Sequence, residues 1–180
     1  MILEKPLVIS TAKVRDQEAL HEWVQRHYDD IYRFLKHLTR QREAAEDLAQ
    51  QTFINAYQAL GSFREDSSMR TWLHKIAFRE YIAWRRKRRL TLPLELLGGR
   101  SDKRFKGVDS QIDLLAALHQ LPAAYREAFL LFEVQQLSVE EVSSVTGTKV
   151  GTIKSQLHHA RKQLQTLLGE VYQETNHESE

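Results

Sequence analysis

Between Val150 and Leu168 the sequence VGTIKSQLHHARKQLQTLL sets hydroxyls, imidazoles and cations at positions from which a helix would display them outward. At about 100° per residue, with Ile153 taken as zero, Val150, Ile153, Leu157, Ala160, Leu164, Leu167 and Leu168 gather within about 60° of one another's mean direction. Thr152, Ser155, His158, His159 and Lys162 fall on the far side, with Lys154 and Arg161 at its flanks. No carboxylate interrupts that face. Ser, Lys and His all donate hydrogen bonds to phosphates or base edges, so an acid-free face of this composition suits readout in a major groove. A plain solvated face is the alternative.

A second cluster runs Arg85, Arg86, Lys87, Arg88, Arg89 at the end of a helical stretch, where the helix dipole favours cations. Phe78, Tyr81 and Trp84 precede it at a spacing of three, beside Arg79. Aromatics next to cations are what an unstacked single strand needs, with bases on ring faces and the backbone held by charge. The same spacing also serves a helix core, and a solvated helix end is a further reading of the basic run. Catalytic constellations are poor by comparison. His158 and His159 are adjacent and diverge by about 100° on a helix, which is wrong for a shared metal, and His21, His27 and His37 scatter along another helix. Glu46 and Asp47 diverge likewise. No P-loop, H-E-x-x-H, G-x-S-x-G or glycine fingerprint occurs. No metal, no cofactor and no enzymatic activity is expected.

The elements that position these residues are helices. From Glu18 to about Arg40 apolar residues recur at Leu20, Trp23, Val24, His27 or Tyr28, Ile31, Phe34, Leu35 and Leu38. A second helix from about Glu43 to Leu60 carries Ala45, Leu48, Ala49, Thr52, Phe53, Ala56 and Tyr57 as its stripe, and Gly61 is placed to end it. A third, from about Met69 to Arg89, carries Trp72, Leu73, Ile76, Ala77 and Ile82. Periodicity stops after Leu90 in TLPLELLGGRSDKRFKGVDS, a stretch long enough to be a linker or functional insert. It resumes with a short helix ending near Leu121, then one from Pro122 through Val134. Ser138 and Glu141 form an S-x-x-E capping box for a helix to about Val145, Gly147 marks a tight turn, and Thr148 is placed to cap the last helix, Lys149 to about Val171. A brief helix, a glycine turn and an amphipathic helix make the helix-turn-helix pattern, although any helical hairpin in a bundle looks similar.

Composition agrees with this reading. Seven Gly and three Pro in 180 residues disfavour sandwiches, barrels and glycine-dependent dinucleotide folds. Zero Cys removes disulfides, thiolate metal sites and cysteine nucleophiles, and is compatible with a reducing cytosol. Glu4 and Lys5 inside the one apolar stretch of MILEKPLVISTAKVRD argue against a signal peptide or membrane span, so a cytoplasmic protein without membrane insertion is expected. The net charge of +2 conceals a division: residues 21–90 hold 14 Lys and Arg against 9 Asp and Glu, while residues 169–180 hold 4 Glu and no Lys or Arg. A basic half of that kind hints at a polyanionic partner.

Three stretches, AEDLAQQTFINAYQAL, SFREDSSMRTWLHKIAFREYIAWRRKRR and LPAAYREAFLLFEVQQLSVEEVSSVTGTKVGTIKSQLHHARKQL, closely resemble the two modules of bacterial sigma factors of the extracytoplasmic-function (ECF) class. The likeness covers about residues 20–168. It implies an all-α fold of two small helical modules joined by a flexible linker. The expected division is a leader at 1–17, sigma region 2 at 18–90, a linker at 91–110, sigma region 4 at 111–168 and an acidic tail at 169–180.

The resemblance also implies a function: binding core RNA polymerase, directing it to promoter DNA through the −35 and −10 elements, and helping to open it. It places Asp47, Gln50, Gln51 and Asn55 against the clamp of the β′ subunit. Gln51 stands where relatives often have Glu. The loop from Phe63 through Arg64 and Ser67 to Ser68 matches the one that captures a flipped base, and Arg79, Arg85, Arg86 and Arg88 fall on the −10 reading helix. Arg79 replaces the usual Asn, and Trp72 resembles a core residue. Lys149, Thr152, Lys154, Ser155, His158, His159 and Lys162 match the −35 helix. Common relatives have Arg at 154, 156 and 159; without that rigid fork the −35 sequence is not transferable. The β flap of the polymerase and an anti-sigma factor are further partners the family implies. A stand-alone helix-turn-helix regulator, using residues 20–90 for dimerisation or ligand binding, is the rival reading.

Overall fold

A computed structural model describes residues 17–63, 68–91 and 110–177, and they are all-α. Seven helices follow in order: α1 (Gln17–Thr39), α2 (Arg42–Ala59), α3 (Met69–Thr91), α4 (Ser110–Gln120), α5 (Ala123–Phe129), α6 (Val139–Thr146) and α7 (Val150–His177). The chain divides into two compact units between Ile82 and Ala83, inside α3. α3 itself runs unbroken through Thr91, one residue past Leu90, where helical periodicity was expected to stop.

The first unit is built on the stripes read from sequence. Ile31, Phe34, Leu35 and Leu38 of α1 are buried with Ala45, Leu48, Ala49, Phe53 and Ala56 of α2. Burial of each large apolar side chain contributes about 1.5–3 kcal/mol. Three alanines on α2 let it lie close to α1. The turn between them has no glycine: Arg40 adopts a left-handed φ of 60°, a conformation costly for a non-glycine residue. Thr39 holds it there, its buried hydroxyl donating to the Leu35 carbonyl at 2.8 Å while accepting from the Gln41 amide at 3.3 Å. α2 ends at Ala59, just before Gly61, and Gly61 forms no left-handed cap. The chain instead tightens into a 3₁₀ turn at Leu60–Ser62, a common way to finish a helix.

On α3 the buried face is Thr71, Leu73, His74, Ala77, Phe78 and Tyr81, whereas Trp72, Ile76 and Ile82 of the expected stripe are only half-buried. Phe78 and Tyr81, 6% and 1% exposed, are core residues. That excludes them as base-stacking platforms. α3 meets α1 through the ring pair Phe34–His74, 5.2 Å between centroids, and through Arg70–Asp30 at 3.3 Å.

In the second unit α7 buries Ile153, Leu157, Ala160 and Leu164 among Ala117 and Leu118 of α4, Ala128 of α5 and Val142 and Val145 of α6. Pro122 precedes α5 with ψ of 142°, and its carbonyl accepts from the Tyr125 and Arg126 amides. Arg126 reaches back to the carbonyls of His119 and Leu121 at 3.4 and 3.3 Å, satisfying the open end of α4. After Phe129 the helix widens into a π turn, Leu130–Val134, in which the Gln135 amide bonds the Leu130 carbonyl. The capping box of α6 is complete: Glu141 N–H donates to Ser138 Oγ at 3.1 Å and Ser138 N–H to Glu141 Oε2 at 2.8 Å. Gly147, at φ 71°, makes the left-handed turn that a side chain would strain. α7 then starts from the Lys149 carbonyl, which accepts from Thr152 and Ile153, one residue later than the cap read at Thr148. It continues past the expected end to His177.

Candidate functional site

Two exposed regions carry the residues singled out by sequence. The first is a groove along α1 and α2. Val24, Tyr28, Phe53, Ile54 and Tyr57 give it an apolar floor, and Glu46, Asp47, Gln50 and Gln58 line its edges. Asp47 and Gln50 are exposed, one turn apart on α2. Glu46 is held by Arg42, with Nε to Oε1 at 2.8 Å, so of the two adjacent acids Asp47 is the one without an ion pair among the described residues. Ile54 and Tyr57 are 45% and 47% exposed. Tyr57 was expected in the core, and Ile54 was not singled out. Its signal was present: a large aliphatic residue about 100° away from the buried position Phe53 has no core to face.

Gln51 and Asn55 do not join that groove. Gln51 Nε2 donates to Asn55 Oδ1 at 2.8 Å, and Asn55 Nδ2 donates to Glu80 Oε1 of α3 at 2.9 Å. The relay ties α2 to α3 next to Arg79, which is exposed. Two histidines of α1 have lowered pKa values. Burial, reinforced by Arg26, lowers the pKa of His27 below its ordinary 6.5 despite Asp30, and burial with Lys36 and Arg33 lowers that of His37.

At the start of α3, Phe63 is half-buried with its ring 5.1 Å from that of Trp72. Ser68 is the helix cap, its hydroxyl accepting from the Thr71 amide at 3.1 Å and paired with Thr71 Oγ1 at 2.8 Å. That gives Ser68 a structural task the sequence reading missed, although S-x-x-T ahead of a helical stretch was its signal. Arg64 and Ser67 lie outside the described residues, as do most of the linker and the first sixteen residues. Of the basic run, Arg85 pairs with Glu127 within the second unit, and Arg88 lies over the Trp84 ring at 5.3 Å. Arg86 and Arg89 are exposed.

The second region is the outer face of α7. Lys149, Thr152, Lys154, Ser155, His158, His159 and Lys162 are all exposed, as the helical wheel required. The face holds no acid. His158 and His159 meet edge to face at 5.6 Å, and His159 also stacks on Tyr125 of α5, 5.7 Å between centroids and 19° between planes. Arg161, read as a flanking cation, is bound by Glu133: Nε and Nη2 both donate to Oε1, at 3.0 and 2.6 Å. The outward charge of the helix is therefore carried by its lysines. Among the described residues no three His, Cys, Asp or Glu side chains are grouped to hold a metal, and no helix is long and apolar enough to cross a membrane.

Known proteins share this arrangement. Residues 23–91 match the Sigma-70 region 2 family and residues 111–164 the Sigma-70 region 4 family. SigE of Mycolicibacterium smegmatis, an ECF RNA polymerase sigma factor, is 32% identical over 89% of this chain; the chain spans 66% of SigE, just under two thirds. SigM of Bacillus subtilis, of the same description, is 30% identical over 82% of this chain and 94% of its own length. Among solved structures, the sigma factor RpoE of Bartonella quintana, crystallised with the anti-sigma factor NepR, is 28% identical with a TM-score of 0.70, over 84% of this chain and 98% of that one. CnrH, in complex with the cytosolic domain of CnrY, shares the fold at 23% identity and a TM-score of 0.66, over 89% and 95% of the two chains.

Proposed function

The chain belongs to the ECF RNA polymerase sigma factor family, and from that premise we propose how its parts divide the work of directing core RNA polymerase to promoters. Residues 18–90 serve as region 2 and residues 111–168 as region 4, with 91–110 between them. The protein acts in the cytoplasm, has no active site of its own, and takes an anti-sigma factor as regulator, as the RpoE relative does with NepR.

Docking falls to the α1–α2 groove. Its apolar floor with a polar edge has the anatomy of a protein interface, in which a desolvated centre is ringed by groups that need partners. Asp47 and Gln50 contact the β′ clamp at the edge, and Ile54 and Tyr57 supply buried area. Gln51 and Asn55 support that face from behind through Glu80. Phe63, Arg64, Ser67 and Ser68 serve the capture of an extruded −10 base, and Arg79, Arg86 and Arg88 hold the strand, whereas Arg85 is already engaged by Glu127. On α7, Ser155 and His158 contact −35 base edges, with Lys149, Thr152, Lys154, His159 and Lys162 on phosphates or adjoining bases. Region 4 also meets the β flap.

The observation that carries this reading is the α7 face: six exposed side chains of the helix and Lys149 just before it, all able to donate hydrogen bonds and none acidic, presented by a capped α6 and a Gly147 turn. Purified protein added to core polymerase on genomic DNA tests it. Discrete transcript starts preceded by a common −35 and −10 pair support it. Tight binding of duplex DNA by the protein alone, with no effect on polymerase, would favour a stand-alone regulator.

A further inference from the structure

Two contacts reach α7 from the α5–π segment, and they land on opposite flanks. Tyr125 stacks on His159, and Glu133 binds Arg161 through two N–H groups on one oxygen. His159 and Arg161 are two residues apart and so about 200° apart around the helix. Between them, on the side away from Ile153, Leu157, Ala160 and Leu164, lie Lys154, Ser155, His158 and Lys162. The Arg161 guanidinium also lies 5.6 Å from the centre of the Phe132 ring, so one flank is gripped by a carboxylate and an aromatic face together.

The π turn contributes to this grip. It changes the angular phase of everything after Leu130, and Phe132 and Glu133 sit within it. Such turns are rare and recur at functional sites. The segment is also pinned beyond its end: Gln136, at a left-handed φ of 52°, donates from its side chain to the Glu133 carbonyl, and the Leu137 amide bonds Leu131. The Glu133–Arg161 pair is itself partly exposed, and pairs of that kind add little to stability. Its geometry needs a reason other than holding the fold.

The buried stripe of aliphatic side chains and one alanine is non-directional packing and tolerates small rotations. A rotation of about 20° moves a side-chain tip about 6 Å from the helix axis by ~2 Å. A hydrogen bond to a base edge does not survive that displacement. Opposed contacts on the two flanks resist rotation in both senses, because turning toward one breaks the other.

We propose that Glu133, through Arg161, and Tyr125, through His159, are positioning residues that fix the rotation of the recognition helix and so set −35 specificity without touching DNA. The inference rests on the assignment of α7 to the −35 element. It also gives Arg161 a role opposed to the obvious one: its charge is spent on Glu133 rather than on phosphate.

The test uses the full chain with core polymerase on a promoter pool with a randomised −35 hexamer and a fixed −10 element, and reads the ratio of output from best to single-mismatch sites. Glu133→Gln and Tyr125→Ala should each reduce that ratio at least fivefold, with polymerase capture unchanged. Glu133→Asp and Tyr125→Phe, which keep the charge and the ring, should retain most of it. The exchange Glu133→Arg with Arg161→Glu should recover at least half of what Glu133→Gln loses. If Glu133→Gln instead raises output from all sites evenly, Arg161 is a phosphate contact and the proposal fails. A ratio unchanged within twofold overturns it as well. Ser155→Ala with His158→Ala in the same pool separates the two levels: an unaltered profile there removes the −35 assignment itself, and the proposal with it.

Discussion

The outward faces of α2 and α7 are both exposed, yet their residues are engaged differently. On α7 the assigned residues point to solvent, and Ser155, Lys154 and Lys162 have no side-chain partner among the described residues. On α2 the four assigned residues separate into two exposed ones beside an apolar floor, Asp47 and Gln50, and two committed to an internal relay, Gln51 and Asn55. A nucleic-acid face works with one row of donors, because the ligand supplies acceptors at regular spacing. A protein-docking face needs apolar area as well, and on the proposed reading Ile54 and Tyr57 of α2 are the residues to supply it.

The strongest way to break the comparison is to remove one unit and ask whether the other persists. Phe34→Ala deletes a fully buried ring and should cost the first unit about 3–5 kcal/mol. Limited proteolysis is expected to cut within α1–α2 while α4–α7 resists; simultaneous loss of both would show that the units do not fold separately. Next in size, Asp47→Ala combined with Tyr57→Ala should weaken capture of core polymerase by about 100-fold, at roughly 1–2 kcal/mol for each contact. Melting temperature should barely change, since both side chains are exposed. The matching pair Gln51→Ala and Asn55→Ala should do the reverse, lowering stability more than capture.

Smaller effects sharpen the contrast. Ser138→Ala removes the α6 cap and should cost about 1 kcal/mol, seen as a lower urea midpoint with the −35 preference retained. The first unit should also lose stability in mild acid. His27 and His37 are pushed below 6.5 in the folded state, so the unfolded chain binds more protons. Their contribution is complete above about pH 6.5 and declines as pH falls through that value toward the lowered folded pKa values. Replacing both with Gln should flatten the melting temperature between pH 7.5 and 5.5.

This contrast also explains what could be read from the chain. The Ser138–Glu141 box and the Gly147 turn are local, and each appears where its residues put it. The α7 face is equally local, being one helix seen from outside. Tyr57 was misassigned because an aromatic one position beyond a buried alanine looks like stripe until α1 is in place. Phe78 and Tyr81 admitted two readings for the same reason, and only the packing of α3 decided for core. The Glu133–Arg161 pair spans 28 residues and depends on a π turn, which no helical period of 3.6 anticipates.

The central claim is a division of labour between the two faces, and transcript 5′-end mapping on genomic DNA with core polymerase measures it most directly. Ser155→Ala with His158→Ala should leave polymerase capture intact and redistribute starts toward promoters with altered −35 sequences, each lost base contact being worth about 1–3 kcal/mol. Asp47→Ala with Tyr57→Ala should reduce all starts in proportion, without redistribution. If the α7 variant loses starts uniformly, or the α2 variant changes which promoters are used, the assignment of readout to one face and docking to the other is wrong.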